Sequence, residues 1–313
     1  MRFLLIAFFL LSATLTAADF PWSNAAPEHI RHAALLPDQV IDEEPCNWRP
    51  ILNRIFPPMV KECSTAREAA LHIAGNIGTV TGTYYSKERR KHNMNALEAL
   101  AEKKISCTGQ SVLLVCALRS VDIPARAVGV HTWNHIQGNH TWVEAWIDGE
   151  WHMIEFNERE FDTPWVMEYV GMLNPLNPFQ RIRAIMPGGA SSWWPREFAE
   201  QKKLPNFEAE DVTARYLIKA RKWYTSAGIP ENTQRILIDL QPRLADSPVV
   251  EIVDEENRVV SSGRLPTLRD DMRYLTRLNM PRNGTHYLRL EGTEERAELI
   301  PSEAPIQILR LEL

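Results

Sequence analysis

Across 313 residues no long run of lysine and arginine occurs, and the formal net charge is −5 with the two signs interspersed. Nucleic acid and anionic membrane surfaces call for a concentrated positive field, so neither is expected as a partner. The cluster Lys87 to Lys91 and the pair Lys103-Lys104 read as solvated surface. Beyond the first 18 residues no stretch is long and apolar enough to span a bilayer, so no integral membrane segment is expected in the mature protein. Cysteine is scarce, with four residues. None belongs to a Cys-x-x-Cys pair and no His-Glu-x-x-His run exists, so no zinc site is expected and no cofactor is called for.

Residues 1–18, MRFLLIAFFLLSATLTAA, hold one arginine, an apolar run from Phe3 to Leu11, and small residues before Asp19. This is the pattern of a secretory signal peptide cleaved after Ala17 or Ala18, and it places the mature protein in the periplasm or outside the cell. No cysteine follows the cleavage region to carry a lipid anchor. In an oxidising compartment Cys46 and Cys63 form a candidate disulfide over the Pro-rich segment WRPILNRIFPPM, with two free thiols as the alternative. Cys116, inside an apolar run, reads as an inert buried thiol.

Chemistry concentrates between residues 105 and 157. Cys107 precedes the apolar run Val112 to Leu118, which predicts a buried central helix with Cys107 in its first turn. There the positive end of the helix dipole favours thiolate over thiol and makes the sulfur a better nucleophile. Asp122-Ile123-Pro124 turns the chain, Ala125 to His131 reads as a strand, and Trp133 to Asn139 as a loop. His140 to Ile147 and Glu150 to Phe156 alternate with period two around Asp148-Gly149, a strong hairpin signal. One strand face then carries His140, Trp142, Glu144 and Trp146, and the other strand presents Trp151, Met153, Glu155 and Asn157. With Ile147 opposite Glu150, His140 would lie opposite Asn157, with Glu155 one same-face step away. Trp133, in the loop before the histidine, is the candidate substrate contact.

The helix-opening cysteine, the phrase IPARAVGV and the hairpin HTWVEAWIDGEWHMIEF together resemble the transglutaminase-like superfamily over about residues 84–165. The resemblance implies an α+β papain-like core, a central helix packed on an antiparallel sheet, and a Cys-His-Asp triad. Carried over, Cys107 matches the nucleophile, His140 the general base, and Glu155 the acid. Glu155-Phe156 stands where the family has Asp-Pro, and Asn157 is the alternative third member. Taken one at a time, Cys107 could be a structural thiol, His140 an edge-strand histidine and Glu155 a surface acid. Their order along the chain is what matches the fold.

The remainder brackets this core. Prolines at 21, 27, 37, 45 and 50 chop the segment after the leader, which reads as a wrapping strap without chemistry. Thr65 to Val80, capped by Ser64, and Met94 to Lys103, capped by Asn93 or Asn95, predict amphipathic helices. FDTPWVMEYVGMLNPLNPFQRIRAIMPGG reads as a strand or loop passage. Asp211 to Trp223 and Glu231 to Leu240 read as helices, and short β-rich runs follow from Val249. The expected organisation is a leader (1–18), a catalytic core (19–190), a helical linker (191–245) and a small β-sandwich-like domain (246–313) that binds or braces rather than catalyses.

Three functional readings follow. The first is an exported cysteine-dependent enzyme hydrolysing amide bonds of a protein, peptide or glycopeptide substrate. The second is a glutamine transamidase that cross-links proteins, and the third an inactive binding module.

Overall fold

The computed structural model describes residues 20–134, 138–226, 232–246, 248–268, 275–302 and 306–312. The leader expected over residues 1–18 lies outside the described residues. The fold mixes helix and sheet and includes a small all-β region. The chain divides into two compact units, Met1–Ala127 with Trp142–Phe161, and Val128–Thr141 with Asp162–Leu313.

The first unit contains helices α1 (Glu28–Ala34), α2 (Arg49–Ile55), α3 (Ala66–Thr81), α4 (Ala96–Glu102) and α5 (Cys107–Arg119). With them are the short parallel pair β1 (Tyr84–Tyr85) and β2 (Lys104–Ile105), and the hairpin of β4 (His140–Ile147) and β5 (Glu150–Ile154). β3 (Ala125–Val130) and β4 run on into the second unit. α3 starts at a capping box in which the Thr65 side chain accepts from Glu68 N–H and the Glu68 carboxylate returns to Thr65 N–H, so the cap is Thr65 and not Ser64. Gly82, with φ +70°, ends it in the left-handed conformation. Asn95 caps α4 by the same reciprocal device with Glu98. In α5 every residue from Ser111 to Arg119 is buried, as its apolar run demands.

Arg119, at the end of α5, shows how the proline-chopped strap is held. Its guanidinium donates to the carbonyls of Ala34 (2.9 Å), Pro37 (2.7 Å), Gln39 (3.1 Å) and Ala125 (2.9 Å). The end of α1 and the irregular stretch that follows it have carbonyls to satisfy, and one buried guanidinium supplies the donors. Arg126 of β3 and Glu144 of β4 form a fully buried ion pair at 2.9 Å, and the Trp151 ring covers the guanidinium at 4.0 Å.

In the second unit are α6 (Pro164–Val170), α7 (Arg196–Lys202) and α8 (Thr213–Ser226), together with β6 (Arg183–Ile185), β7 (Ser191–Ser192) and β8 (Glu208–Asp211). β6 pairs with the end of β3, and β8 pairs with β6 and β7, all antiparallel. α6 corrects the strand-or-loop reading of its segment: Pro164 occupies the first helical turn, where its missing N–H costs nothing. The all-β region follows as β9 (Thr233–Gln241), β10 (Val249–Val253), β11 (Val259–Arg264), β12 (Thr276–Pro281), β13 (His286–Leu290), β14 (Arg296–Leu299) and β15 (Ile306–Glu312). They form two sheets, ordered β11-β10-β13-β14 and β12-β9-β15, around one core that includes Ile236, Ile238, Val250, Ile252, Leu278 and Leu288. The helix expected over Glu231 to Leu240 is therefore strand β9. Its run Ile-Leu-Ile-Asp-Leu satisfies helical spacing as well as alternation, and pairing with β12 and β15 decides between them.

Candidate active site

Cys107 is the first residue of α5. Ser106 caps the helix, its hydroxyl oxygen accepting from Gly109 N–H at 2.9 Å, while the Ser111 hydroxyl donates to the Cys107 carbonyl at 3.0 Å. The backbone on both sides of the cysteine is thus fixed. A Cβ at Gly109 would stand 3.2 Å from the Ile105 side chain, so a small residue is needed where β2 enters the helix. The sulfur-bearing residue is half-buried at the positive end of a buried helix, the setting that favours thiolate.

The other three cysteines are held as neutral thiols. Burial pushes Cys116 far up. Burial also raises Cys46, against a smaller opposing effect from backbone N–H groups of Leu97 and Ala96, and it raises Cys63, with the negative charges of Glu68 and Glu62 adding to it. Cys46 and Cys63 stand as free thiols, the alternative to the candidate bridge. Cys46 sits against the first turn of α4, whereas Cys63 follows the 3-10 turn Pro57–Val60, so each belongs to a different neighbourhood.

His140 opens β4 and is buried. Its ring meets the edge of Trp165 with centroids 4.8 Å apart, and Trp165 in turn packs on Tyr169 at 5.5 Å. Gly129 is a residue that sequence reasoning missed here. A Cβ on it would lie 2.8 Å from the His140 carbonyl oxygen and 2.9 Å from the Trp193 ring, so the strand closes around His140 only because this position has no side chain. The neighbouring His131 does different work. Its Nε2 donates to the Trp193 carbonyl at 2.7 Å, its ring stacks on Trp194, and burial holds it down to about 4, neutral at ordinary pH.

The β4–β5 register is as expected, from Ile147 opposite Glu150 to Val143 opposite Ile154. Glu155 follows directly and is buried, its carbonyl accepting from Glu158 N–H at 3.2 Å. One more pair in that register would set it beside Trp142, two residues along β4 from His140. Asn157 does not continue the strand. It has φ +65°, its N–H donates to Ala74 O at 2.9 Å, and its Oδ1 accepts from Gly78 N–H at 3.0 Å. The side chain offered as an alternative orienter is committed to the backbone of α3, and a Cβ on Gly78 would collide with it at 2.5 Å.

Trp133, the candidate substrate contact, is buried and edge-on to Trp165 and Tyr169. Trp142 and Trp151 are buried as well, and Trp146 is half-buried against Trp151. The hairpin tryptophans are core because alternate residues of β4 and β5 face inward on both sides. Among the described residues no group of three or more His, Cys, Asp or Glu side chains gathers to hold a metal ion, and no helix is long and apolar enough to cross a membrane.

No curated protein is matched by the sequence. Among solved structures, one named "Putative Cysteine Protease" from Cytophaga hutchinsonii aligns at 18% identity and a TM-score of 0.30, covering 34% of this chain and 36% of that one. Red sea bream transglutaminase aligns at 11% identity and a TM-score of 0.40, covering 90% of this chain and 66% of that one. The family model "Transglutaminase-like superfamily" matches residues 54–156, a span running from the end of α2 past Glu155. Members of that family are usually cysteine-dependent enzymes. Residues 54–156 are therefore a transglutaminase-like superfamily domain.

Proposed function

We propose that the protein is an exported cysteine-dependent amidohydrolase acting on peptide, side-chain or glycan amide bonds, with Cys107 as nucleophile, His140 as general base and Glu155 as the residue that orients the imidazole. The observation that carries this reading is the place of Cys107, the first residue of a helix capped by Ser106 inside the family-matched segment.

In this reading the Cys107 sulfur attacks an amide carbonyl, and His140 holds the thiol proton. Backbone N–H groups of the first turn of α5 stabilise the oxyanion. The C–N bond breaks as His140 gives the proton to the departing amine, and a thioester remains. Water, deprotonated by His140, then attacks the thioester and releases the acid and the free thiol. Glu155 keeps the imidazole in the tautomer that can accept from sulfur and stabilises the imidazolium. Its carboxylate sits one methylene further from the backbone than the aspartate of the family pattern.

The test is labelling with iodoacetamide followed by peptide mapping. The reading expects rapid modification at Cys107 and none at Cys116 over the same time. Equal labelling of all accessible thiols, or a Cys107 that reacts no faster than free cysteine, sinks it in favour of an inactive binding module. Ammonia release from glutamine-containing peptides, with and without a primary amine, then separates hydrolysis from transamidation.

A further inference from the structure

Glu168 is one of the most deeply buried carboxylates in the chain, 1% exposed, on a helix of seven residues. Two guanidiniums from the all-β region converge on it. Arg235 of β9 donates to Oε1 at 2.9 Å and Arg277 of β12 donates to Oε2 at 2.8 Å. Each carboxylate oxygen therefore has its own cation, and the two strands that supply them are neighbours in one sheet. The backbone of the same residue is held too, since Tyr224 of α8 donates its hydroxyl to the Glu168 carbonyl at 2.7 Å. Tyr224 fits against α6 because residue 171 is glycine, where a Cβ would fall 2.0 Å from the Tyr224 hydroxyl.

The helix fixed in this way carries Trp165 three residues before Glu168 and Tyr169 one after. Residues three and four apart share a helix face, so Trp165 lies beside Glu168 and above Tyr169. Trp165 is the ring that meets His140, and Trp133 packs on both aromatic rings of α6. A short helix has little stability of its own, and its rotation about its axis is set by what it packs on. A turn of α6 that released Glu168 from its two arginines would carry Trp165 off the His140 ring.

We propose that Glu168, with Arg235 and Arg277, is a positioning group for His140: the all-β region braces α6 through this buried ion cluster, and α6 holds the imidazole through Trp165. The proposal rests on the reading of His140 as the base for Cys107. It gives the all-β region a part in the chemistry without a catalytic residue of its own.

The experiment uses the full chain. Glu168→Gln keeps shape but turns an amide nitrogen toward one guanidinium and removes the charge that holds both. The rate of Cys107 alkylation by iodoacetamide is measured from pH 5 to 9. We expect a tenfold or larger fall in rate at pH 6 and a rise in the apparent midpoint of the profile, with far-UV circular dichroism unchanged. Arg277→Lys, which keeps the cation, should stay nearer the wild type, whereas Arg277→Met, which leaves only the Arg235 pair, should fall further toward Glu168→Gln. If Glu168→Gln fails to fold, the comparison of Arg277→Lys with Arg277→Met decides, because Arg235 still neutralises Glu168 in both.

A folded Glu168→Gln, or an Arg277 pair, with the wild-type profile overturns the proposal. Failure of the catalytic reading is seen separately, as an unreactive Cys107 in the wild type. In that case the ring NMR signals of His140 decide the brace: they shift in Glu168→Gln if the proposal holds and stay in place if it does not.

Discussion

Gly129→Ala tests the packing on which the site depends. The added methyl would stand 2.8 Å from the His140 carbonyl oxygen and 2.9 Å from a carbon of the buried Trp193 ring, with a second ring carbon at 3.4 Å. The first neighbour is backbone and the second the rim of a rigid indole, so neither is a flexible tip that can swing away. Overpacking of this kind costs about 1–3 kcal/mol. Loss of glycine freedom in the unfolded chain offsets about 0.4–1 kcal/mol of that. The net expectation is a destabilisation of about 1–2 kcal/mol, which for a unit the size of the one holding Gly129 lowers its Tm by about 2–8 °C. Because the displaced atom belongs to His140, the alkylation rate of Cys107 should fall as well, by more than the change in folded population explains. Thermal unfolding followed by circular dichroism and alkylation kinetics at 25 °C read the two effects. A variant that melts within a degree of the parent and labels at the same rate would show that β3 and β4 do not approach at His140 as described.

Three further outcomes are expected. Asn157→Ala removes the acceptor for Gly78 N–H and should cost about 1–2 kcal/mol in denaturant unfolding while leaving Cys107 labelling within twofold; lost labelling with intact stability would return Asn157 to the site. Glu155→Gln should do the opposite, keeping the melting temperature and lowering thiol reactivity at neutral pH by orders of magnitude, and a fully reactive variant would remove Glu155 from the mechanism. His131 is held down to about 4 from 6.5, so the unfolded chain takes up its proton first as pH falls. Its contribution is complete above pH 6.5 and is lost between 6.5 and 4, amounting to about 2 kcal/mol between pH 7.5 and 5. Denaturant unfolding of His131→Gln should show a correspondingly smaller loss over that interval, and an identical loss would mean that His131 does not stay neutral in the fold.

How far the sequence discloses this arrangement depends on whether the deciding contact is local. The start of α5 at Cys107, the Asp148-Gly149 hairpin and its register are legible because capping and alternation are properties of neighbouring residues. Thr65 as the cap of α3 is legible in the spacing Thr-x-x-Glu, although Ser64 beside it competes for the role. β9 is not legible, since a contiguous apolar run fits either period and only its two strand partners choose. Asn157 is misplaced for a related reason. Period two carries it along the face of β5, but the strand ends at Ile154 and the amide turns to a helix 79 residues earlier in the chain. Gly78 and Gly129 leave no local trace at all, because what demands a glycine at each is a side chain or carbonyl distant in sequence.

The four thiols bring these threads to one residue. An unperturbed cysteine with a pKa near 8.5 is only about 3% thiolate at pH 7. Burial moves Cys46, Cys63 and Cys116 further from ionisation, so each is a poorer nucleophile at neutral pH than a cysteine in water. Fast thiol chemistry is then expected from the first turn of α5, where a helix start favours the thiolate. Cys107→Ser should therefore remove the fast phase of alkylation completely and leave a slow phase from Cys46 and Cys63 unchanged, read by mass spectrometry of intact protein over time. The substitution keeps the helix cap, which belongs to Ser106, and keeps the Cys107 carbonyl that Ser111 engages, so the fold should hold. A fast phase that survives Cys107→Ser would place the reactive sulfur at Cys46 or Cys63, and with it would fall the assignment of the nucleophile to the helix start.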